Sequence, residues 1–202
     1  LSNSLSFTEK TNDEKEYSNT TATLIGFPDF NGNTSENITN SNLIVSRDLG
    51  DSLFTSINRG GLISSLPGTL IEVDTLTKQL NSKGWNVITY TGNQANESAV
   101  KNIKDSRIVH IATHGYFFEN SSNNLSDFGK LTGIEQDILE SEPLLRSGLL
   151  LAGAKNTLLG KNKGTEDGIL SAYEASFINL SETELVVLSA CETGRGEIKN
   201  SE

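Results

Sequence analysis

RIVHIATHG, residues 107–115, is a short hydrophobic run that ends on a histidine and a glycine. LVVLSACETG, residues 185–194, is a second such run, and it carries the only cysteine of the chain. Both are rich in β-branched and aliphatic residues and are closed by a glycine-containing turn, which is typical of buried β-strands. If the two strands lie side by side and parallel, their carboxyl ends place the imidazole of His114 beside the thiol of Cys191. A cysteine nucleophile and its base need this arrangement.

The elements before the histidine run alternate between strand and helix. The sequence predicts strands over residues 21–27 and 85–90, a helix from about residue 67 to 83 and a short helix over residues 96–104. The long helix is predicted from an apolar stripe at helical spacing and from a glycine placed to end it. The stripe consists of Leu66, Leu70, Val73, Leu76 and Leu80, and the glycine is Gly84. This alternation predicts an α/β fold with a mostly parallel central sheet covered on both faces, whose sites lie at the carboxyl ends of the strands.

The second half of the chain is less regular. Residues 119–142 are interpreted as a long polar insertion, and residues 147–153 as a short strand or hairpin arm. Residues 155–167 are interpreted as a loop rich in lysine, asparagine and glycine. A helix is predicted over residues 169–177, with Asp167 as its amino-terminal cap.

Composition limits the classes of function. The chain has 202 residues, enough for one domain, and a formal net charge of −10 without a basic patch, which argues against direct nucleic-acid binding by this chain. No apolar run is long enough for a membrane helix and no signal-peptide pattern is present, so we predict a cytoplasmic protein without membrane contact. The single cysteine excludes an internal disulfide, and His110 with His114 is too small a set for a metal site. We therefore expect no metal and no cofactor.

Two features concern the extent of the domain. Residues 1–20 are polar and charged and are predicted to be a flexible tail or linker, with one domain over residues 21–202. The chain contains no methionine, so we expect it to be cut from a longer polypeptide. Only four core strands are predicted, and the last of them is strongly apolar. A buried parallel strand is seldom left as an open edge, so we expect missing C-terminal sequence or a separate chain to supply further strands.

The His114–Cys191 pair has a plausible chemistry as a nucleophile with its base. A free thiol has a pKa of about 8.5, so an adjacent imidazole is needed to form the thiolate and later to protonate the leaving amine. Gly115 and Gly194 allow backbone to lie close to a substrate, and the N–H groups of Gly115 and Cys191 are candidates for an oxyanion hole. The alternative from these residues alone is a buried strand cysteine with a histidine in a surface turn.

With their flanks, these residues resemble the CHAT domain, a caspase-like peptidase domain often joined to TPR repeats in bacteria. The similarity extends from about Thr21 to Gly196, and the block around Cys191 is its most specific part. The matching segments are GFPD (26–29), LPGT (66–69) with Glu72, ATHG (112–115), PLLRSGL (143–149), DGILSAYE (167–174) and LSACETG (188–194).

The resemblance implies a three-layer α/β/α caspase-like fold and a catalytic dyad of His114 and Cys191. Cys191 would attack a protein substrate and form a thioester acyl-enzyme. Asp167, Glu174 and Arg146 match family positions, and we consider Asp167, Glu192 and Arg146 as candidate substrate-binding or supporting residues. The resemblance also implies that a small-subunit-like C-terminal segment or chain completes the sheet. It further implies an upstream TPR or sensor module, with bacterial antiviral defence or programmed cell death as the setting.

Two other classes of function remain open on the sequence. The first is a catalytically silent CHAT signalling or scaffold domain that retains the dyad. The second is a nucleotide-binding α/β domain, which has less support. No Gly-x-Gly-x-x-Gly follows the first predicted strand, and the turn at residues 194–196 lacks the lysine of a phosphate-binding loop.

Overall fold

The computed structural model of the protein describes residues 19–32, 63–119, 125–161 and 166–190. In these ranges seven strands form two sheets, with six α-helices and one short 3₁₀ turn around them. The strands are β1 (Thr21–Pro28), β2 (Asn86–Gly92), β3 (Ile108–Ala112), β4 (His114–Phe117), β5 (Ser147–Leu150), β6 (Ile169–Ser171) and β7 (Leu185–Ser189). The helices are α1 (Pro67–Ser82), α2 (Glu97–Lys101), α3 (Leu125–Thr132), α4 (Gln136–Ser141), α5 (Ala154–Leu158) and α6 (Ala172–Ala175), and the 3₁₀ turn is Pro143–Leu145.

The four strands predicted from the sequence form one parallel sheet in the order β2-β1-β3-β7. Leu24 of β1 is opposite His110 of β3, and His110 is in turn opposite Val187 of β7. Side chains alternate along each strand. Leu24 packs under α1, whereas its neighbour Ile25 packs on the other face, with α2 and with residues of β5 and β6. The predicted α/β fold with a mostly parallel central sheet and helices on both faces is confirmed.

Helix α1 covers one face of this sheet, as the apolar stripe predicts. Val73 is fully buried against β1, and its side chain lies so close to Gly26 that a Cβ there would be 2.7 Å from Val73 Cγ2. The glycine therefore allows the close approach of helix to strand. Gly84, with φ of +80°, follows the last turn as predicted.

The histidine run is divided between two sheets, which the prediction of one strand did not anticipate. β3 ends at Ala112 and β4 begins at His114, with Thr113 between them. Thr113 N–H donates to the carbonyl of Ser189 in β7, and its hydroxyl donates to the carbonyl of Leu150 in β5. β4 then forms an antiparallel sheet in the order β4-β5-β6. The chain changes sheets at Thr113 because its backbone and its side chain bond to different sheets.

The predicted helix over residues 169–177 is wrong in its first turn. Residues Ile169–Ser171 are strand β6, which is paired with β5, and α6 begins only at Ala172. The cap is Ser171, whose hydroxyl accepts the N–H of Glu174 while the Glu174 carboxylate accepts the N–H of Ser171. Asp167 instead accepts the N–H of Ile169, at the start of a strand. This capping box places the cap at Ser171, four residues after Asp167, and the helix begins at the next residue.

The prediction of irregular structure over residues 119–142 and 155–167 is also wrong in part. Helices α3 and α4 lie in the first range, and α5 begins at Ala154 and extends into the second. Phe128 of α3 and Leu139 of α4 are buried in an apolar cluster with Tyr116 of β4. The apolar residues in these polar stretches are widely spaced, and their burial depends on the second sheet, which the sequence did not reveal.

A pair of glycine substitutions tests this packing. Gly168 has φ of +84° and a Cβ there would clash with the backbone of Ala154, whereas Gly84 has φ of +80° and open space around it. Gly84→Ala should cost about 1 kcal/mol of unfolding free energy, because only the left-handed backbone is strained. Gly168→Ala should cost about 2 kcal/mol more, because backbone must move as well. Urea unfolding of the two variants measures the difference, and equal losses would contradict this account of the β5–β6 junction.

Candidate active site

The candidate site lies where β3 and β7 end side by side. Ala112 is opposite Ser189, and the N–H of Thr113 donates to the Ser189 carbonyl at 3.2 Å. His114 follows Thr113 directly, and Ala190 follows Ser189 as the last described residue of this segment. Cys191 and Glu192, two of the predicted site residues, lie outside the described residues. The carboxyl ends of β3 and β7 are therefore neighbours in the sheet.

His114 is buried at the start of β4, with 7 % of its surface exposed. Its Nε2 lies 2.9 Å from the backbone carbonyl of Ser64, which precedes α1, and its ring packs 5.1 Å from the ring of Phe30. A carbonyl oxygen only accepts hydrogen bonds, so the partner assigns the proton of neutral His114 to Nε2. The lone pair is then on Nδ1, which is the nitrogen able to take a proton.

Burial also sets the charge of His114. Loss of solvent lowers the pKa of the imidazole below its usual value, and the hydrogen bond to the Ser64 carbonyl acts in the opposite direction without overcoming it. The ring is therefore neutral at pH 7. A neutral imidazole of fixed tautomer, held between a carbonyl and an aromatic ring, is suited to act as a general base.

The other predicted site residues lie at different distances from His114. Gly115 is the next residue of β4, where it is buried and opposite Leu149. Asp167 precedes β6, at the same end of the second sheet as His114. His114 is opposite Leu150 of β5, and Leu150 is in turn opposite Ile169 of β6. The backbone of Arg146 is at the far end, because its carbonyl accepts the N–H of Phe118. Phe118 is four residues, or about 13 Å, along the chain from His114.

A buried group of charges beside this end of the second sheet was not predicted. Glu97, only 1 % exposed, accepts the N–H of Gly168 with one oxygen and the ammonium of Lys101, at 2.6 Å, with the other. Lys101 also contacts Glu174 at 3.2 Å. Burial raises the pKa values of the Glu97 and Asp167 carboxyls, although their hydrogen bonds act against this. The i, i+4 spacing of Glu97 and Lys101 was the sequence signal for one part of this group.

Glu97 and Lys101 therefore join three elements around the DG turn at residues 167–168. Glu97 is on α2, its partner Gly168 is in the turn that leads into β6, and Glu174 is on α6. Both carboxylate oxygens of Glu97 have a partner within the protein, since one accepts the Gly168 N–H and the other the Lys101 ammonium. This arrangement supports the turn rather than offering Asp167 as a free carboxylate, because Asp167 Oδ1 accepts the N–H of Ile169.

Among residues 19–32, 63–119, 125–161 and 166–190, no group of three or more histidine, cysteine or acidic side chains is placed to hold a metal ion. None of the helices in the same ranges is long and apolar enough to cross a bilayer.

Comparison with known proteins identifies one family. A family model described as the CHAT domain matches residues 2–202, which is nearly the whole chain. The comparison with curated proteins gave no match. The comparison with solved structures gave none either.

The lowered pKa of His114 predicts a specific dependence of stability on pH. An unfolded histidine has a pKa of about 6.5, so the buried neutral ring contributes stability above that pH, and this contribution is lost as the pH falls towards the folded pKa. His114→Gln removes the titration. The unfolding free energy of this variant should fall less than that of the wild type between pH 7.5 and pH 5.5, as measured by urea unfolding.

NMR titration provides the direct check, because the chain has only two histidines and His110→Gln assigns their signals. We expect the His114 ring signal to titrate below the usual pH. A midpoint above 6.5 would contradict the assignment of a buried, neutral base.

Proposed function

Because the chain belongs to the CHAT domain family, we propose that it is a caspase-like cysteine endopeptidase that cleaves protein substrates with Cys191 and His114. The observation that supports this most is the neutral His114, held by the Ser64 carbonyl at the paired ends of β3 and β7. Ala112 and Ser189 are opposite each other in the sheet. His114 is two residues beyond Ala112, and Cys191 is two residues beyond Ser189. Consecutive Cα atoms are about 3.8 Å apart, so the chain connections keep both residues near this edge.

The proposed reaction follows from the tautomer of His114. Nδ1 takes the proton of the Cys191 thiol, and the thiolate attacks the scissile carbonyl to form a tetrahedral intermediate. The intermediate collapses when the imidazolium returns its proton to the leaving amine, which breaks the peptide bond and leaves a thioester. Water then gives a proton to Nδ1 and attacks the thioester. The carboxylic acid leaves, and the proton returns to the Cys191 sulfur.

Backbone groups assist both charged species in this sequence. The Nε2–H of His114 donates to the Ser64 carbonyl throughout, so the imidazolium formed at Nδ1 is stabilised by an acceptor already in place. The N–H groups of Gly115 and Cys191 are the proposed donors to the oxyanion, and such donors typically contribute about 3 kcal/mol each.

We propose that three further residues bind the substrate or support the site. Glu192 and Arg146 are proposed as substrate or supporting residues from their family positions, and Asp167 as a supporting residue from its bond to the Ile169 N–H. The chain has a net charge of −10, which favours a basic residue before the scissile bond. As the family resemblance implies, we place the domain in a larger bacterial protein or complex in the cytoplasm. An upstream TPR or sensor module would control it, with antiviral defence as the setting.

The edge strand β7 supports a partner for this sheet. Four consecutive apolar side chains are exposed by 37 to 50 %, namely Leu185, Val186, Val187 and Leu188. In this parallel pair, the N–H of Leu185 and the carbonyl of Ser189 point towards β3. Because successive backbone groups alternate in direction, those of Val186 and Leu188 point to the other side, where no described strand lies. We propose that a small-subunit-like C-terminal segment or chain pairs there.

Replacement of either dyad residue should abolish cleavage. Cys191→Ala removes the nucleophile and His114→Ala the base, and each should lower kcat/KM by about 10⁴-fold or more, measured with a fluorogenic peptide library in the presence of the partner segment. Asp74→Ala is the matched control, because Asp74 is an exposed carboxylate on α1. A double variant should be no slower than Cys191→Ala alone.

Equal cleavage by wild type and Cys191→Ala under every activating condition would overturn the peptidase proposal. The alternative of a silent signalling or scaffold domain would then remain. In that case the wild-type thiol should also react with an alkylating reagent no faster than a free cysteine.

Hydrogen exchange tests the proposed pairing at β7. In the 202-residue chain the amides of Val187 and Ser189 should be protected by β3, whereas those of Val186 and Leu188 should exchange quickly. In the native protein with its partner segment, the latter two should slow by about 100-fold or more, because they enter backbone hydrogen bonds. Fast exchange of Val186 and Leu188 in both states would show that no strand is added at this edge.

A further inference from the structure

Glu72 connects helix α1 to the two strands that lead to the proposed dyad. Its Oε2 accepts the hydroxyl of Ser189 in β7 at 3.2 Å, and its Oε1 lies 3.1 Å from Nε2 of His110 in β3. Ser189 precedes Cys191 by two residues, and His110 precedes His114 by four. One carboxylate therefore contacts both strands, and its hydrogen bond to Ser189 is two residues from Cys191.

His110 lies beside the Glu72 carboxylate, on the face of the sheet that α1 covers. His110 is 4 % exposed and faces α1, on the same side as Leu24, its partner in β1. The His110 ring and the Glu72 carboxylate are close, but they lack the alignment of a hydrogen bond. The hydrogen bond that Glu72 does make in this group is with Ser189, so β7 is the strand that it secures.

β7 has few other supports from side chains. Its apolar residues are exposed, and it is the outermost strand of the described sheet. At its start, Arg107 contacts Glu184 at 2.6 Å. Among the described residues, the hydrogen bond from Ser189 to Glu72 is the one that joins a side chain of β7 to another element. It is located at the end nearer to Cys191.

We propose that Glu72 is a positioning residue that fixes the carboxyl end of β7, and with it the segment leading to Cys191, relative to His114. This inference rests on the proposed function, since it concerns the same pair of residues. Glu72 takes no part in bond making. It acts through Ser189, because its carboxylate accepts the hydrogen bond of the Ser189 hydroxyl. The side-chain amide oxygen of a glutamine at position 72 should therefore serve nearly as well.

The experiment follows the thiolate content of Cys191, which is the only cysteine and so the only site of alkylation by iodoacetamide. The ratio of the alkylation rate at pH 7 to that at pH 10 measures how far a neighbouring base promotes the thiolate. In Glu72→Ala this ratio should fall about fivefold, because the thiol is no longer held beside His114. In Glu72→Gln it should stay within about twofold of the wild type, because the amide oxygen still accepts the Ser189 hydroxyl.

Two further variants complete the design. Ser189→Ala should reproduce the effect of Glu72→Ala, and the double variant should show no additional loss, as expected for partners in one interaction. Asp74→Ala, which removes an exposed carboxylate from the same helix, should leave the ratio unchanged. Thermal unfolding of each variant shows whether a lower ratio comes from an unfolded protein or from a displaced thiol. If Glu72→Ala does not fold, Ser189→Ala still tests the same hydrogen bond, because it removes only one hydroxyl.

Opposite results overturn different claims. If Glu72→Ala has the same ratio as the wild type, Glu72 has no positioning role. If Glu72→Ala and Glu72→Gln lower the ratio equally, the effect comes from the charge of Glu72, and the positioning role is also overturned. If His114→Ala leaves the wild-type ratio unchanged, His114 does not promote the thiolate and the proposed function itself fails.

Discussion

The parallel pairing of β3 with β7 is the constraint on which the rest of the site depends. It brings together two segments that are more than seventy residues apart in the sequence, and it does so in a register that aligns Ala112 with Ser189. A shift of β7 by one residue would turn Ser189 away from Glu72 of α1 and move the end of β7 relative to His114. Helix α1, the Ser64 carbonyl and the second sheet each contact residues whose positions this register sets.

The electrostatic environment of the site is divided between two neighbouring regions. His114 is in an apolar setting that disfavours its charged form, with a single carbonyl as its described hydrogen-bond partner. A separate group of acidic residues surrounds Lys101, where Glu97 and Glu174 raise the pKa of the lysine although burial lowers it. Keeping these carboxylates paired with Lys101 and away from the imidazole avoids the stabilisation of His114 in its protonated form.

The sequence predicted those parts of the fold that have a strong local pattern. The strands β1, β2, β3 and β7 are short runs rich in β-branched and aliphatic residues, and α1 has both a regular apolar stripe and the glycine that follows it. The second sheet was harder, because β6 has only three residues and its identity depends on pairing with β5. The same limit applies to the site. The ends of two apolar runs indicated His114 and Cys191, whereas the Ser64 carbonyl and the Glu72–Ser189 bond join residues that no periodicity connects.

Thr113 has a mechanical consequence for the domain. It is 2 % exposed, and it is bonded through its backbone to the central sheet and through its hydroxyl to the antiparallel one. His114 is the next residue, so a displacement of one sheet relative to the other would act directly on the backbone that carries the imidazole. The orientation of the imidazole is therefore coupled to the packing of the two sheets, and strain between them reaches the histidine within one residue of the chain.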